Sequence, residues 1–109
     1  MSRAEELRLL DILEAIATVH GYVPEPGEPL VGGTRDAILY NLVVLGEAAA
    51  HISSATRARA PEVAWQQVVG LRNLLAHEYF RIDAEIVTSI VREQLAPLEQ
   101  SIRRLLEGA

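Results

Sequence analysis

The 109-residue chain contains no cysteine and no lysine. The first absence excludes a disulfide scaffold, a thiolate zinc site and a cysteine nucleophile. The second excludes Schiff-base chemistry and the lysine of a phosphate-binding loop, since all ten basic residues are arginines. No run approaches the roughly 18 uninterrupted apolar residues that a membrane-spanning helix requires. The opening residues, Met1-Ser2-Arg3-Ala4-Glu5-Glu6, lack the charge pattern and apolar core of a signal peptide. By elimination, the expected location is the cytoplasm.

What is present describes one globular domain over residues 1–109. Half of the residues are apolar and 23% are charged, which is the composition of a folded chain. A chain of this length buries about two thirds of its unfolded surface. The formal charge is -5, with a pI near 5.1, which argues against coating nucleic acid through bulk positive charge. The charge is unevenly spread. Residues 1–33 hold two arginines and six acids, giving -4. Residues 34–81 hold five arginines and four acids, giving +1, and residues 82–109 hold three arginines and five acids, giving -2. The middle of the chain therefore permits a small arginine-lined cleft.

The hydrophobic period is helical almost throughout. Leu9, Ile12, Leu13, Ile16 and Val19 recur at spacings of three and four, predicting a first helix from about Ser2 to His20 with Gly21 as its C-cap. Residues 24–33 hold three prolines and three glycines and form the one clear loop. Thr34 is placed to cap a second helix, with Asp36 in its first turn. Ile38, Leu42, Leu45, Ala49 and Ile52 form its apolar stripe. Gly46 lies inside this helix at a cost of about 1 kcal/mol against alanine, which a close backbone approach would justify.

A basic connection, Arg57-Ala58-Arg59-Ala60-Pro61-Glu62, leads to a third helix from about Val63 to His77 or slightly beyond. Asp83 caps a fourth, with Ile82 and Val87 placed for a hydrophobic staple. Val87, Val91, Leu95, Leu98, Ile102 and Leu105 line the fourth helix, and Pro97 predicts a kink or break within it. The expected fold is all-α, an antiparallel bundle of four to five helices.

The third helix is apolar over more than half of its circumference. Ala64, Val68, Leu71, Leu75 and Tyr79 form one stripe, and Trp65, Val69, Ala76 and Phe80 form another beside it. Such a helix is expected to be buried on more than one side. The second stripe is either a dimer surface or a seat for the fourth helix. The polar residues Gln66, Gly70, Asn73 and His77 share one face. Arg72 lies about 140° around the axis from His77 and roughly 7.5 Å along it. Either the helix ends near His77 and redirects it, or the two side chains meet across a twofold axis, where two arginines and two histidines would line one cleft.

Histidine moves protons near neutral pH, and arginine grips phosphate through a planar, permanent charge. Asn73 can orient a partner through hydrogen bonds. Glu47 can pair with Arg72 and hold it. The set suits RNA cleavage without a metal, with the arginine stabilising charge on the phosphoryl oxygens. The same residues serve equally as capping and salt-bridging groups. His20, His51 and His77 lack zinc-ligand spacing, and His20 and His51 read as surface histidines. Tyr40 and Asn41 fit either the core or a cleft.

The segment Leu71-Arg72-Asn73-Leu74-Leu75-Ala76-His77-Glu78-Tyr79-Phe80 resembles the signature of HEPN proteins, and more narrowly that of the HepT toxin family. Its Arg, four residues, His, one residue, Tyr pattern is matched by Arg72, His77 and Tyr79. Asp11 to Ile16 resembles the family's first helix. Asn41-Leu42 with Gly46-Glu47-Ala48 resembles its second, and Pro61-Glu62 with Trp65 resembles the start of its third. The loop at residues 24–33 departs from the family pattern.

The resemblance implies a dimerising helical bundle with Arg72 and His77 of both subunits at a shared cleft. It implies a metal-independent endoribonuclease with no cofactor of its own, acting as the toxin of a type VII-like toxin–antitoxin pair. The implied partner is an MntA-like minimal nucleotidyltransferase, which uses ATP to place AMP on the motif tyrosine, Tyr79, and so silences the nuclease. Two other readings stand beside it. One is a non-catalytic helical module that docks on a nucleotidyltransferase as its substrate or accessory subunit. The other is a purely structural helical dimer. Neither a membrane nor DNA is an expected partner.

Overall fold

The computed structural model describes the chain except for residues 24, 26, 27, 29–31, 79–83 and 109. The described residues form helices and no strand. The first helix, α1 (Arg3–Tyr22), begins where the Ser2 hydroxyl accepts the Glu5 amide at 3.1 Å, with Glu5 and Glu6 facing the positive helix end. Its stripe of Leu9, Ile12, Ala15, Ile16 and Val19 is buried. Gly21 is not the cap. The helix runs on to Tyr22 and stops at Val23, whose extended ψ of 124° is the conformation required of a residue before proline.

The second helix, α2 (Gly32–Ala50), starts two residues before Thr34. Gly32 has a φ of 60°, which glycine adopts without strain, so the start falls on a residue that reads as loop. Asp36 consequently lies beyond the first turn. Ile38, Leu39, Leu42, Leu45, Ala48 and Ala49 are all buried, because α2 packs on α1 along one side and on the helix over Trp65–Glu78 along another. The Glu5 carboxylate accepts the Ser53 amide at 2.8 Å and the Ser53 hydroxyl at 2.9 Å. That contact joins the start of α1 to the end of α2 and makes the pair antiparallel.

An unexpected single turn follows, α3 (Ser54–Ala58). It has no hydrophobic period and depends on local hydrogen bonds. The Ser53 hydroxyl accepts the Thr56 amide at 3.2 Å. Arg57 reaches back to the carbonyls of Ile52 and Ala49, both at 3.0 Å, and satisfies the open end of α2. The same guanidinium lies 5.8 Å from the centre of the Trp65 ring.

Trp65 opens the next helix, α4 (Trp65–Glu78), two residues later than its period suggests. Its indole is buried and donates to the Ala60 carbonyl at 3.1 Å. The tryptophan is thus held against the connection from α3 and is buried within one chain, without a second subunit. Val69 is half-buried and Ala76 is exposed, while Phe80 lies outside the described residues.

The C-terminal part is one continuous rod made of α5 (Ala84–Ser89), a wide π-turn (Ile90–Gln94) and α6 (Leu95–Glu107). Pro97 does not break it. The helix widens one turn earlier, so that Pro97 falls in the first turn of α6, where a missing amide matters least. Leu95, Leu98, Ile102 and Leu105 face the core. Glu62 accepts the Ser101 hydroxyl at 2.6 Å and also binds Arg104, tying the start of α4 to α6. The proposed cap Asp83 and staple residue Ile82 lie outside the described residues, although Val87 is buried. With the rod counted once, the described residues form four long helices and the short α3. None of its described helices is long and apolar enough to cross a membrane.

Candidate functional site

The site is built where α2 and α4 cross. A Cβ on Gly46 would stand 3.0 Å from the Arg72 amide nitrogen and 3.0 Å from the Val68 carbonyl. Glycine is therefore present because the backbones touch. The contact fixes the height of Arg72 along α2, and Glu47 follows Gly46 directly.

The consequence is a short ion pair. Arg72 Nη1 donates to Glu47 Oε2 at 2.7 Å. Glu47 Oε1 meets His51 Nε2 at 3.2 Å, just past the end of α2. The Glu47 carboxyl is held below its ordinary range, first by the hydrogen bond from Arg72 and then by that from His51. The Arg72 and Glu47 side chains are 36% and 51% exposed, so the pair positions the guanidinium more than it stabilises the fold. Only one of the five guanidinium donors is committed to Glu47, and the group retains a face open to solvent.

His77 and Asn73 are exposed on α4. The helix remains regular through Glu78, so the separation of about 140° between Arg72 and His77 is retained within one chain. Arg72 is turned toward α2. His77 lies only about 20° around the axis from Gly70 and about 60° from Leu74, both of which border the opposite side of the helix. That side is an apolar groove of about 630 Å³ between α4 and the C-terminal rod, lined by Val68, Leu71, Leu74, Ile86, Ile90 and Leu98. The structure thus joins Arg72 to Glu47 and does not join Arg72 to His77.

The modification candidate, Tyr79, lies outside the described residues. Tyr40 is 67% exposed, while Asn41 donates to the Ala37 carbonyl of its own helix at 2.9 Å. Among the described residues, no cluster of three histidines, aspartates or glutamates could hold a metal ion. By sequence alone His51 is an ordinary surface histidine. The available signal was its spacing of four from Glu47, which places two helical side chains side by side.

The description "Ribonuclease HepT-like" matches residues 12–105, a span that holds the Gly46 contact, the ion pair and His77. The chain belongs to the HepT-like family of HEPN proteins. A Methanocaldococcus jannaschii protein described as a candidate RNase is 37% identical over 68 residues, covering 62% of either chain. A Caldanaerobacter subterraneus protein, also described as a candidate RNase, is 27% identical over 71 residues, covering 65% of this chain and 63% of its own. These two alignments span less than two thirds of the relatives' lengths. A Thermococcus cleftensis protein described as a candidate ribonuclease HepT aligns almost throughout, with 28% identity over 108 residues, 96% of this chain and 98% of its own. No solved structure gives a significant match.

Proposed function

We propose that this HepT-like chain is an endoribonuclease whose reaction centre is completed across a homodimer. The observation that carries this reading is the divergence of Arg72 and His77 on one regular helix. Arg72 is anchored at the α2 crossing, and His77 leaves α4 on the other side. Two copies related by a twofold axis can bring the arginine of one subunit beside the histidine of its partner.

In that cleft, Arg72 holds the scissile phosphate through the donors that Glu47 leaves free and neutralises charge as it gathers on the phosphoryl oxygens. His77 serves proton transfer in one of two positions. It accepts the proton of the attacking 2′-hydroxyl, or it gives a proton to the departing 5′-oxygen. The 2′-oxygen–phosphorus bond forms, the phosphorus–5′-oxygen bond breaks, and a cyclic phosphate remains on the upstream fragment. Arg72 supplies the positive charge, so the reaction needs no metal and no cofactor. Asn73, next to Arg72, is placed to orient the RNA backbone.

The proposal extends to a toxin role beside an MntA-like nucleotidyltransferase. That partner would use ATP to silence the nuclease. The Tyr79 hydroxyl attacks the α-phosphorus, pyrophosphate leaves and the hydroxyl proton is lost. The attached nucleotide adds bulk and negative charge beside a phosphate-binding cleft.

The test is cleavage of RNA by wild type, Arg72→Ala and His77→Ala in the presence of a chelator. Loss of about 100-fold or more in each variant at unchanged folding is expected. Mixing the two inactive variants should restore part of the activity, because a mixed dimer rebuilds one intact Arg72–His77 pair. Unchanged cleavage in His77→Ala would overturn the catalytic assignment.

A further inference from the structure

Glu47 receives two donors on separate oxygens, and only one of them belongs to the proposed reaction centre. The other is His51. It lies one residue past α2, in the turn where its backbone amide donates to the Ala48 carbonyl at 3.1 Å. Its position is therefore set by the helix end, independently of Arg72. With Nε2 at 3.2 Å from Oε1 and Arg72 Nη1 at 2.7 Å from Oε2, the carboxylate is gripped from both sides.

A glutamate held by one partner keeps rotamer freedom about its terminal torsion. A glutamate held on both oxygens presents one fixed edge. That edge determines which guanidinium nitrogen of Arg72 is occupied and which remain available for phosphate. The side chains of His51, Glu47 and Arg72 are 47%, 51% and 36% exposed, so their arrangement is held by these polar contacts and not by burial.

We propose that His51 is a positioning residue for Arg72, acting through Glu47. The inference rests on the ribonuclease reading of Arg72 and adds a third residue to it. His51 does not touch RNA in this scheme. It orients the carboxylate that orients the arginine.

The experiment compares RNA cleavage by full-length His51→Ala, His51→Gln, Glu47→Ala and the His51→Ala/Glu47→Ala double variant with wild type, Arg72→Ala and His77→Ala. His51→Ala should lower the turnover rate about threefold to tenfold, the cost of a misplaced catalytic group, with a smaller change in KM. Glutamine retains an N–H donor, so His51→Gln should recover most of the rate. In the Glu47→Ala background, removing His51 should change the rate by less than about twofold, because residues that act through one another are not additive.

A carbon-detected titration of Glu47 gives a readout separate from activity. Its midpoint is expected below the ordinary glutamate range in wild type, through the Arg72 and His51 hydrogen bonds, and should move upward in His51→Ala. Loss of cleavage in Arg72→Ala and His77→Ala with a wild-type rate in His51→Ala overturns this inference alone. An equal His51→Ala effect with and without Glu47 also overturns it, since His51 would then act by another route. Wild-type cleavage in Arg72→Ala and His77→Ala overturns the ribonuclease reading and this inference with it.

Discussion

Leu74 and Leu75 are neighbours on α4, yet Leu75 is fully buried and Leu74 is 43% exposed. They mark the two sides of this helix. On the α2 side, backbone approaches backbone at Gly46, and Arg72 is seated beside it. On the other side α4 and the C-terminal rod stand apart around an apolar groove. The chain therefore places the motif arginine at a close backbone crossing and leaves the histidine side open. A helix carrying one half of a shared centre has use for both conditions. One face must be rigid within the subunit, and the other must be accessible beyond it.

The comparison can be broken most strongly at Leu75. Leu75→Ala empties a fully buried position and should cost about 2–5 kcal/mol in chemical denaturation. Gly46→Ala comes next. Its new methyl group would meet the backbone atoms of Val68 and Arg72, which cannot swing aside as a side chain can, so a loss of about 1–3 kcal/mol is expected. The same variant should lose RNA cleavage beyond the fraction unfolded, because α4 must lift and carry Arg72 away from Glu47. Leu74→Ala has the smallest expected effect, a stability change within about 0.5 kcal/mol when measured on the dissociated chain. A loss there as large as that for Leu75→Ala would mean that the groove closes within one subunit.

The architecture was legible wherever the apolar period was long. Leu9 to Val19 and Leu95 to Leu105 each turned inward as a single stripe, because burial of that stripe dominates the energetics of a helix. The degree of burial of α4 was not legible. Composition alone gives α4 two apolar faces, but a one-chain pattern does not reveal which face its own neighbours cover. In the fold, α2 takes the enclosed position and α4 the half-open one. The short α3 also escaped, since five residues held by the Ser53 hydroxyl and Arg57 leave no period. Gly32 concealed the start of α2 because a glycine before a helix reads as loop.

At the site, the reason for Gly46 and the pairing of Glu47 with Arg72 could both be framed from residue type, although only packing could set their distance. The link to His51 was available in its spacing from Glu47, but an i, i+4 pair acquires meaning only when the carboxylate is seen to have a second task. The divergence of Arg72 and His77 followed from helix geometry once α4 was shown to continue through Glu78.

The wide turn at Ile90–Gln94 bears on how this chain tolerates changes in length. Two successive spacings of four, from Val87 to Val91 to Leu95, overrun an ordinary helical turn, and the π-turn absorbs the surplus residue. Deleting one residue there closes the rod into a regular helix with little change in azimuth, so Leu98, Ile102 and Leu105 still face inward. The same deletion one turn later would swing the remaining stripe by about 100° and expose it to water. The C-terminal rod thus contains a built-in splice point, where the reading frame of its surface survives a change in the number of residues.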